Sequence, residues 1–296
     1  MTKTMRKWLL GIMIVVFIGL IAVNVRKSTK FELGSRENYA LTSRDATVKN
    51  GIMVFCYHRI LNNNDMMVKS VEALTPNNQL HVYNVNLSEF KKQMRFLRQH
   101  HIKVISTAQM AQMLKNNRPI HGKYVVLTFD DIDRTMTENA APVMKHYGYP
   151  FTASIITGNT GSYIGGEQLA TWPQILKLRQ SAGSKMTLGV HTNNMHYLIK
   201  GTPAFNLKKN YSKFTSDYAT SQKVMKQKTG HTSAIFTYPY GSGTPIVQNF
   251  LVHQPGLKVI YTLNNGIVTD ENDLQLAPRM IITKNSWPSI SHWLEK

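Results

Sequence analysis

Residues 125–131 read Val-Val-Leu-Thr-Phe-Asp-Asp, an apolar run that ends in two adjacent carboxylates. This pattern is typical of a buried β-strand that carries acids at its C-terminal tip. Adjacent carboxylates repel each other, and burying either one without a partner costs free energy. A bound divalent cation would remove both problems. The pair therefore indicates a metal site, although Asp residues after a strand are also common helix caps.

Two histidines further along the chain could complete such a site. His191 directly follows the apolar segment Met186–Val190, and His196 comes shortly after it. Carboxylates and imidazoles together form a donor set that suits Zn²⁺, while Ni²⁺, Co²⁺ and Mn²⁺ would also fit. We therefore expect one divalent metal ion, with Zn²⁺ favoured, as the cofactor.

The elements that position these residues alternate between strands and helices. Short apolar runs of strand type are separated by segments with helical spacing, and the connections are mostly short. This alternation predicts one α/β domain with a parallel sheet, a (β/α) barrel of about seven strands. The predicted strands of this sheet are residues 51–57, 104–105, 125–129, 151–156, 186–190, 234–238, 259–261 and 279–283.

Chemically useful groups follow four of these strands. They are His58, the Asp130–Asp131 pair, His191 and residues 238–241. In a parallel barrel the C-terminal ends of all strands meet at one face, where active sites lie. One histidine after one strand would mean little, but four such strand ends together predict an active site.

The N-terminus predicts a membrane segment. Residues 8–25 are uncharged and largely apolar, with three cations before them and three more soon after. A helix of this length spans about 27 Å, close to the hydrocarbon thickness of a bilayer. A poor cleavage site favours an uncleaved signal anchor over a signal peptide. We expect a signal anchor or signal peptide in residues 1–30, a linker in 31–50 and the catalytic domain in 51–296.

The charge of the chain indicates an anionic neighbourhood. The net charge is +19, and +13 remains beyond residue 30 because six cations and no anions precede that point. A basic exported domain suits anionic cell-surface polymers or lipid. The sequence lacks helix-turn-helix, RNP and zinc-finger patterns, so we expect no specific nucleic-acid partner. A single cysteine, Cys56, excludes an internal disulfide, and its apolar context predicts a buried, inert thiol.

Several ordered motifs carry a family resemblance. They are Thr-Phe-Asp-Asp at 128–131, Leu-Ala-Thr-Trp at 169–172, the histidine segment 188–196 and Tyr-Pro-Tyr-Gly at 238–241. Together they resemble the motifs of polysaccharide deacetylases, the NodB-homology enzymes of carbohydrate esterase family 4. The resemblance covers roughly residues 51–283. It implies metal-dependent amide hydrolysis on a polysaccharide.

The resemblance implies a role for each candidate residue. Asp131, His191 and His196 would be the metal ligands, leaving open positions for water and the acetyl oxygen. Asp130 would be the general base that takes the proton of the attacking water.

The remaining roles concern the leaving group and the oxyanion. His58 would protonate the departing nitrogen, and we expect it on the same face as Asp130 but across the metal site from it. The backbone N–H of Tyr240 would face the oxyanion.

Three departures from the usual motifs narrow the resemblance. Four residues rather than three separate His191 from His196, and no Arg precedes the Pro-Tyr-Gly segment, so we expect Tyr238 to take part of its orienting role. No late histidine motif is evident, since His292 lies beyond the last predicted strand. Instead His58 follows the first strand. This order resembles the circularly permuted branch that de-N-acetylates poly-β-1,6-N-acetylglucosamine in biofilms, and the single domain is similar to its Gram-positive members.

The leading hypothesis is therefore de-N-acetylation of extracellular poly-β-1,6-N-acetylglucosamine by a monomeric enzyme. We expect this enzyme at the extracellular face of the cell membrane, or secreted and attached to the cell surface. One alternative keeps the chemistry but acts on peptidoglycan or chitin oligomers. The permuted histidine and the absent Arg argue against it. A second alternative is a non-catalytic polysaccharide-binding protein on the same fold. It is disfavoured because a pure binder has no need of clustered metal ligands.

Overall fold

The structure is a computed structural model that describes residues 5, 8, 39–62, 83–115, 119–164 and 167–296. In this part of the chain the strands are β1 (Gly51–Tyr57), β2 (Arg59–Leu61), β3 (Asn84–Asn86), β4 (Lys103–Val104), β5 (Lys123–Phe129), β6 (Phe151–Ile155), β7 (Tyr163–Ile164), β8 (Glu167–Gln168), β9 (Met186–Val190), β10 (Leu198–Ile199), β11 (Thr202–Pro203), β12 (Ile235–Thr237), β13 (Val259–Tyr261) and β14 (Met280–Ile281). The helices are α1 (Leu87–Gln99), α2 (Thr107–Lys115), α3 (Ala141–Tyr147), α4 (Trp172–Ala182), α5 (Tyr211–Thr229), α6 (Pro245–Val252) and α7 (Trp287–Glu295).

Seven parallel strands form one curled sheet in the order β13-β12-β9-β6-β5-β1-β14, and β4 pairs with the first half of β5. The two ends of this path approach each other before β14. The N–H of Ala277 donates to the carbonyl of Ile260, and the carbonyl of Ala277 accepts from the N–H of Thr262. The predicted α/β architecture with about seven parallel strands is confirmed. The C-terminal ends of the strands consequently share one face.

Burial on both sides explains the composition of the central strands. Every residue of β1 is buried, and so are the last five of β5. Helix α1 covers one side with Phe90, Met94 and Leu97, which recur at helical spacing. Parallel strands covered by helices need apolar side chains on both faces, and such runs are readily recognised in sequence.

Several elements were not predicted from the sequence. Helix α7 follows the last predicted strand, and the two-residue strands of the β7–β8 and β10–β11 hairpins are too short to give a periodic signal. A π-helical turn, Met136–Ala140, precedes α3. Two 3₁₀ turns precede the polar helix α5, which begins at Tyr211.

Apart from residues 5 and 8, the predicted membrane segment lies outside the described residues. Within the described ranges, no helix combines the length and apolarity needed to cross a bilayer. Part of the predicted linker contacts the domain. The N–H of Leu41 donates to Ser289 Oγ, and the indole N–H of Trp293 donates to the carbonyl of Val48. The stretch 39–50 therefore lies against α7.

Candidate active site

A strained turn after β5 separates the two adjacent aspartates. Asp131 and Ile132 have φ values of 65° and 52°, in the left-handed region that non-glycine residues seldom adopt. The N–H of Ile132 donates back to the carbonyl of Asp130 over 2.7 Å. Both carboxylates are buried, yet they bond to different groups. Strain of this kind persists where the surrounding structure over-determines the backbone, as at functional sites.

Asp131 meets both candidate histidine ligands. Its Oδ1 lies 3.4 Å from Nε2 of His191 and 3.4 Å from Nε2 of His196. Buried Oδ1 has no hydrogen-bond partner in the described part of the chain. His191 Nδ1 lies 2.8 Å from the carbonyl of Thr237, so it carries the proton and Nε2 presents a lone pair. The structure thus brings together all three residues predicted as metal ligands.

The three donor atoms fit a divalent cation. Two ligand atoms about 2.1 Å from a tetrahedral ion lie about 3.4 Å apart, which matches both nitrogen–oxygen separations. A cation would also partner the otherwise unbonded oxygen of Asp131. The hydrogen bond from His191 to a backbone carbonyl is the orienting contact usual for histidine ligands. The donor set of one carboxylate and two neutral imidazoles suits a catalytic metal with open coordination positions.

The protonation states of these three groups agree with a cation-binding site. Burial lowers the pKa of His191 to about 3 and that of His196 to about 4, so both imidazoles are neutral near pH 7. Burial, reinforced by the charges of Asp130 and Asp133, raises the pKa of Asp131 to about 8. Without a cation, this carboxyl group is therefore mostly protonated at neutral pH. A bound metal would favour its charged form.

Asp130 has its own partner in Arg279, which lies immediately before β14. The guanidinium makes two parallel hydrogen bonds of 2.8 Å to the carboxylate, and its Nε donates to the carbonyl of Thr262. Although burial alone would raise the pKa of Asp130, the ion pair with Arg279 holds it well below its usual range. Both side chains are buried, so each neutralises a charge that would otherwise be costly.

Arg279 corrects the prediction made for Tyr238. The hydroxyl of Tyr238 is buried without a hydrogen-bond partner among the described residues, and its ring packs on Phe205 and Phe236. Tyr238 therefore does not orient Asp130; the arginine comes from the other end of the chain. One sequence signal could have located it, because a charged residue that begins an apolar strand needs a buried partner.

His58 lies beside Asp130 rather than across the site from it. Its Nε2 is 4.0 Å from Asp130 Oδ2, and its ring stacks on Tyr83 at a centroid distance of 4.6 Å. The prediction of a shared face is confirmed, whereas the predicted placement on the opposite side of the metal site is wrong. The thiol of Cys56 donates to the same Oδ2 over 3.6 Å. Burial lowers the pKa of His58 to about 4.

These groups open into one cavity of about 550 Å³ at the C-terminal face of the sheet. Its lining includes His58, both aspartates, both histidines and Tyr240. The ring of Tyr240 lies 4.8 Å from that of His196, and its backbone is left-handed with φ 57°. His292, in α7, is not among the residues that line the cavity. All six residues predicted for catalysis and metal binding thus share one cavity.

The cavity brings together a group of residues that could hold a metal and an aspartate that is paired with an arginine. Residues 117–259 match the polysaccharide deacetylase family, so the chain contains a polysaccharide deacetylase domain. Enzymes of this family are metal-dependent, and the chain supplies a group of residues that could hold a metal.

Known relatives narrow the comparison further. The chain is 25% identical over 253 residues to a poly-β-1,6-N-acetyl-D-glucosamine N-deacetylase of Staphylococcus aureus, covering 83% of each protein. It is 24% identical over 250 residues to the enzyme of the same description from Staphylococcus epidermidis, covering 83% of this chain and 84% of that one. The solved structure of IcaB from Ammonifex degensii is similar, with 28% identity and a TM-score of 0.73 over 83% of this chain and 98% of IcaB.

Proposed function

We propose that the protein removes acetyl groups from poly-β-1,6-N-acetylglucosamine, releasing acetate and leaving glucosamine units. The assembly of His58, the arginine-paired Asp130 and the Asp-His-His triad in one cavity is the observation that carries this proposal. The similarity to staphylococcal enzymes named for this substrate supports the choice of polymer.

Asp131, His191 and His196 would hold one divalent cation, which we propose to be Zn²⁺. Bound there, it would acidify a water molecule and polarise the acetamide carbonyl. The protein's own part is to keep both imidazoles neutral and to aim their lone pairs at one point. The bond from His191 to the carbonyl of Thr237 does this for one of them.

Asp130 and His58 would move the protons. Asp130 takes a proton from the attacking water, and His58 gives one to the nitrogen as the carbon–nitrogen bond breaks. A proton gained at Asp130 would pass to His58 once their 4.0 Å separation, which exceeds hydrogen-bond distance, shortens or is bridged by water. Arg279 holds the carboxylate in position throughout. The backbone N–H of Tyr240 donates to the oxygen that gains negative charge.

Location follows from the charge and the N-terminus of the chain. We propose that residues 1–30 deliver the protein to the outer face of the membrane or to the cell surface, where its polymer substrate lies. The +13 charge of the remaining chain would hold it near anionic polymers or lipid. The enzyme would act there as a monomer.

The test compares substrates and metals with the purified full-length protein. We expect acetate release from β-1,6-linked N-acetylglucosamine oligomers, its loss after chelation, and its return with Zn²⁺ in preference to Ni²⁺, Co²⁺ or Mn²⁺. Asp131→Asn should remove both metal and activity while the protein stays folded. Faster release from chitin oligomers or peptidoglycan would establish the alternative substrate. Polymer binding without acetate release would establish a non-catalytic binding protein.

A further inference from the structure

The backbone between the two histidine ligands is held by a carboxylate from a different element. Asp217, half-buried on helix α5, accepts the N–H of Asn193 at Oδ2 and the N–H of Asn194 at Oδ1, both over 2.7 Å. No other described contact joins α5 to the loop amides so closely. A charged acceptor that receives two short backbone bonds fixes the path of that backbone.

The backbone of this loop is strained. Thr192 has a φ of 69°, in the left-handed region where a β-branched residue is an outlier. It is one of the four residues that separate His191 from His196. A strained backbone of this kind persists only when neighbouring groups over-determine it.

A second set of contacts holds the opposite side of the same loop. The N–H of Thr157 donates to the carbonyl of Thr192, and the N–H of Gly158 donates to the carbonyl of Asn193. The side chain of Thr157 also donates to Asn193 Oδ1. The turn after β6 therefore donates hydrogen bonds to the carbonyls of this loop, and Asp217 accepts hydrogen bonds from its amides. The two sets of contacts together form a clamp that holds the loop from both sides.

The two histidines depend differently on this clamp. His191 comes directly after β9 and is also tied to the carbonyl of Thr237. His196 lies at the far end of the loop, so the position of its Nε2 follows the loop backbone. Moving His196 by a fraction of an ångström would spoil the 3.4 Å spacing to Asp131.

We propose that Asp217 is a positioning residue for the metal site: by binding the amides of residues 193 and 194, it sets the affinity of the Asp131–His191–His196 triad for its cation. This proposal rests on the metal assignment in the proposed function. Asp217 neither lines the catalytic cavity nor touches the triad, so its influence passes through the loop.

The experiment measures metal affinity rather than turnover. Full-length protein, stripped with a chelator, is titrated with Zn²⁺ against a competing chromophoric chelator, and its fold is checked by circular dichroism. Loss of a group that bonds directly to a metal ligand typically weakens binding about 10- to 100-fold, and because Asp217 acts through the loop we expect the lower end, about 10-fold, for Asp217→Ala. Asp217→Asn should weaken binding less, because the amide oxygen still accepts one of the two bonds.

Thr220→Ala is the matched control. Thr220 lies on the same helix and lines the same surface cavity as Asp217, but its hydroxyl bonds to Ser216 within the helix. Its Zn²⁺ affinity should equal that of the unaltered protein.

Other outcomes separate the two proposals. Unchanged Zn²⁺ affinity in folded Asp217→Ala or Asp217→Asn, with only a lower melting temperature in excess chelator, would overturn the positioning role and leave the metal site intact. If Asp217→Ala does not fold, the Zn²⁺ affinity of Asp217→Asn alone decides whether Asp217 has the positioning role. Failure of the unaltered protein to bind Zn²⁺ would overturn both the metal assignment and this proposal.

Discussion

The site has two halves, one around Asp130 and one around Asp131, and they are completed in different ways. Around Asp130 the protein supplies every partner, since Arg279, Cys56 and His58 all face its carboxylate. Around Asp131 it supplies only neutral imidazoles and leaves one oxygen without a hydrogen bond in the described structure. Neighbouring residues of identical chemistry thus acquire opposite pKa shifts.

This difference separates a half that is stable by itself from a half that awaits a cation. A buried ion pair with two parallel hydrogen bonds holds its geometry without any ligand. A carboxyl group that is buried next to other acids favours its protonated form until a metal compensates its charge. Changes in the first half should therefore alter proton transfer and folding, whereas changes in the second should alter metal binding.

Removal of the imidazole in the first half should have the largest effect. If His58 protonates the leaving nitrogen, His58→Ala should lower the rate of acetate release from an amide substrate by about 10²–10⁴-fold. Metal content should remain unchanged, and an activated acetate ester, whose leaving group needs no proton, should lose much less rate.

The exposed His231 provides a control, and His231→Ala should leave both rates unaltered. Equal losses on amide and ester would contradict the acid role of His58 and indicate that it only supports the structure.

Removal of the guanidinium should affect stability most. Arg279→Met leaves Asp130 buried without its counter-ion, and we expect the free energy of unfolding to fall by about 3–5 kcal/mol. Urea denaturation with chelator present measures it. Arg134→Met is the control: Arg134 pairs with Glu138 on the surface, where such a pair contributes about 1 kcal/mol or less. Equal losses for the two variants would show that the buried pair has no special role.

The second half should make the metal-free protein sensitive to alkaline pH. Between pH 6.5 and 8, folded Asp131 retains a proton that the unfolded chain has lost, because its pKa is raised to about 8. Stability should therefore fall as pH rises through this window. Glu167, whose pKa burial also raises to about 8, acts in the same direction. His58, His191 and His196 are neutral in the folded protein, and in the unfolded chain they lose their last protons just above pH 6.5, so they oppose this fall only at the start of the window.

Thermal melts at several pH values, with chelator present, measure this slope. Asp131→Asn should remove the contribution of Asp131 to this slope, and saturating Zn²⁺ should make the melting temperature less dependent on pH. Below pH 6.5 the lowered histidine pKa values act oppositely, since the unfolded chain gains protons first and stability falls as pH falls towards 4. A rise in stability between pH 6.5 and 8 would contradict the assignment of Asp131 as the proton-retaining group.

The smallest effect should come from the thiol beside Asp130. Cys56 is a weak donor to an oxygen that Arg279 already binds. Cys56→Ala should therefore cost about 1 kcal/mol of folding free energy, a typical loss for a small buried change, and leave the metal affinity unchanged. A loss as large as that of Arg279→Met would show that the thiol stabilises the buried carboxylate of Asp130 as much as the guanidinium does.

The sequence by itself determined which strands carry the chemistry. Apolar runs such as Gly51–Tyr57 and Met186–Val190 mark buried strands, and the polar residues that follow them must meet at one face of a parallel sheet. That rule was enough to predict that His58, Asp130–Asp131 and His191 lie together.

Only the tertiary structure decided how those groups are paired. Arg279 reaches Asp130 because β14 lies beside β1, a strand order that local hydrophobic periodicity does not encode. Asp217 was equally hidden, since an acid on a polar helix looks like any solvated residue. The position of His58 beside Asp130 depends on register and on the strained turn after β5. Periodicity is a local property, whereas partners of buried charges are chosen by neighbours across the sheet.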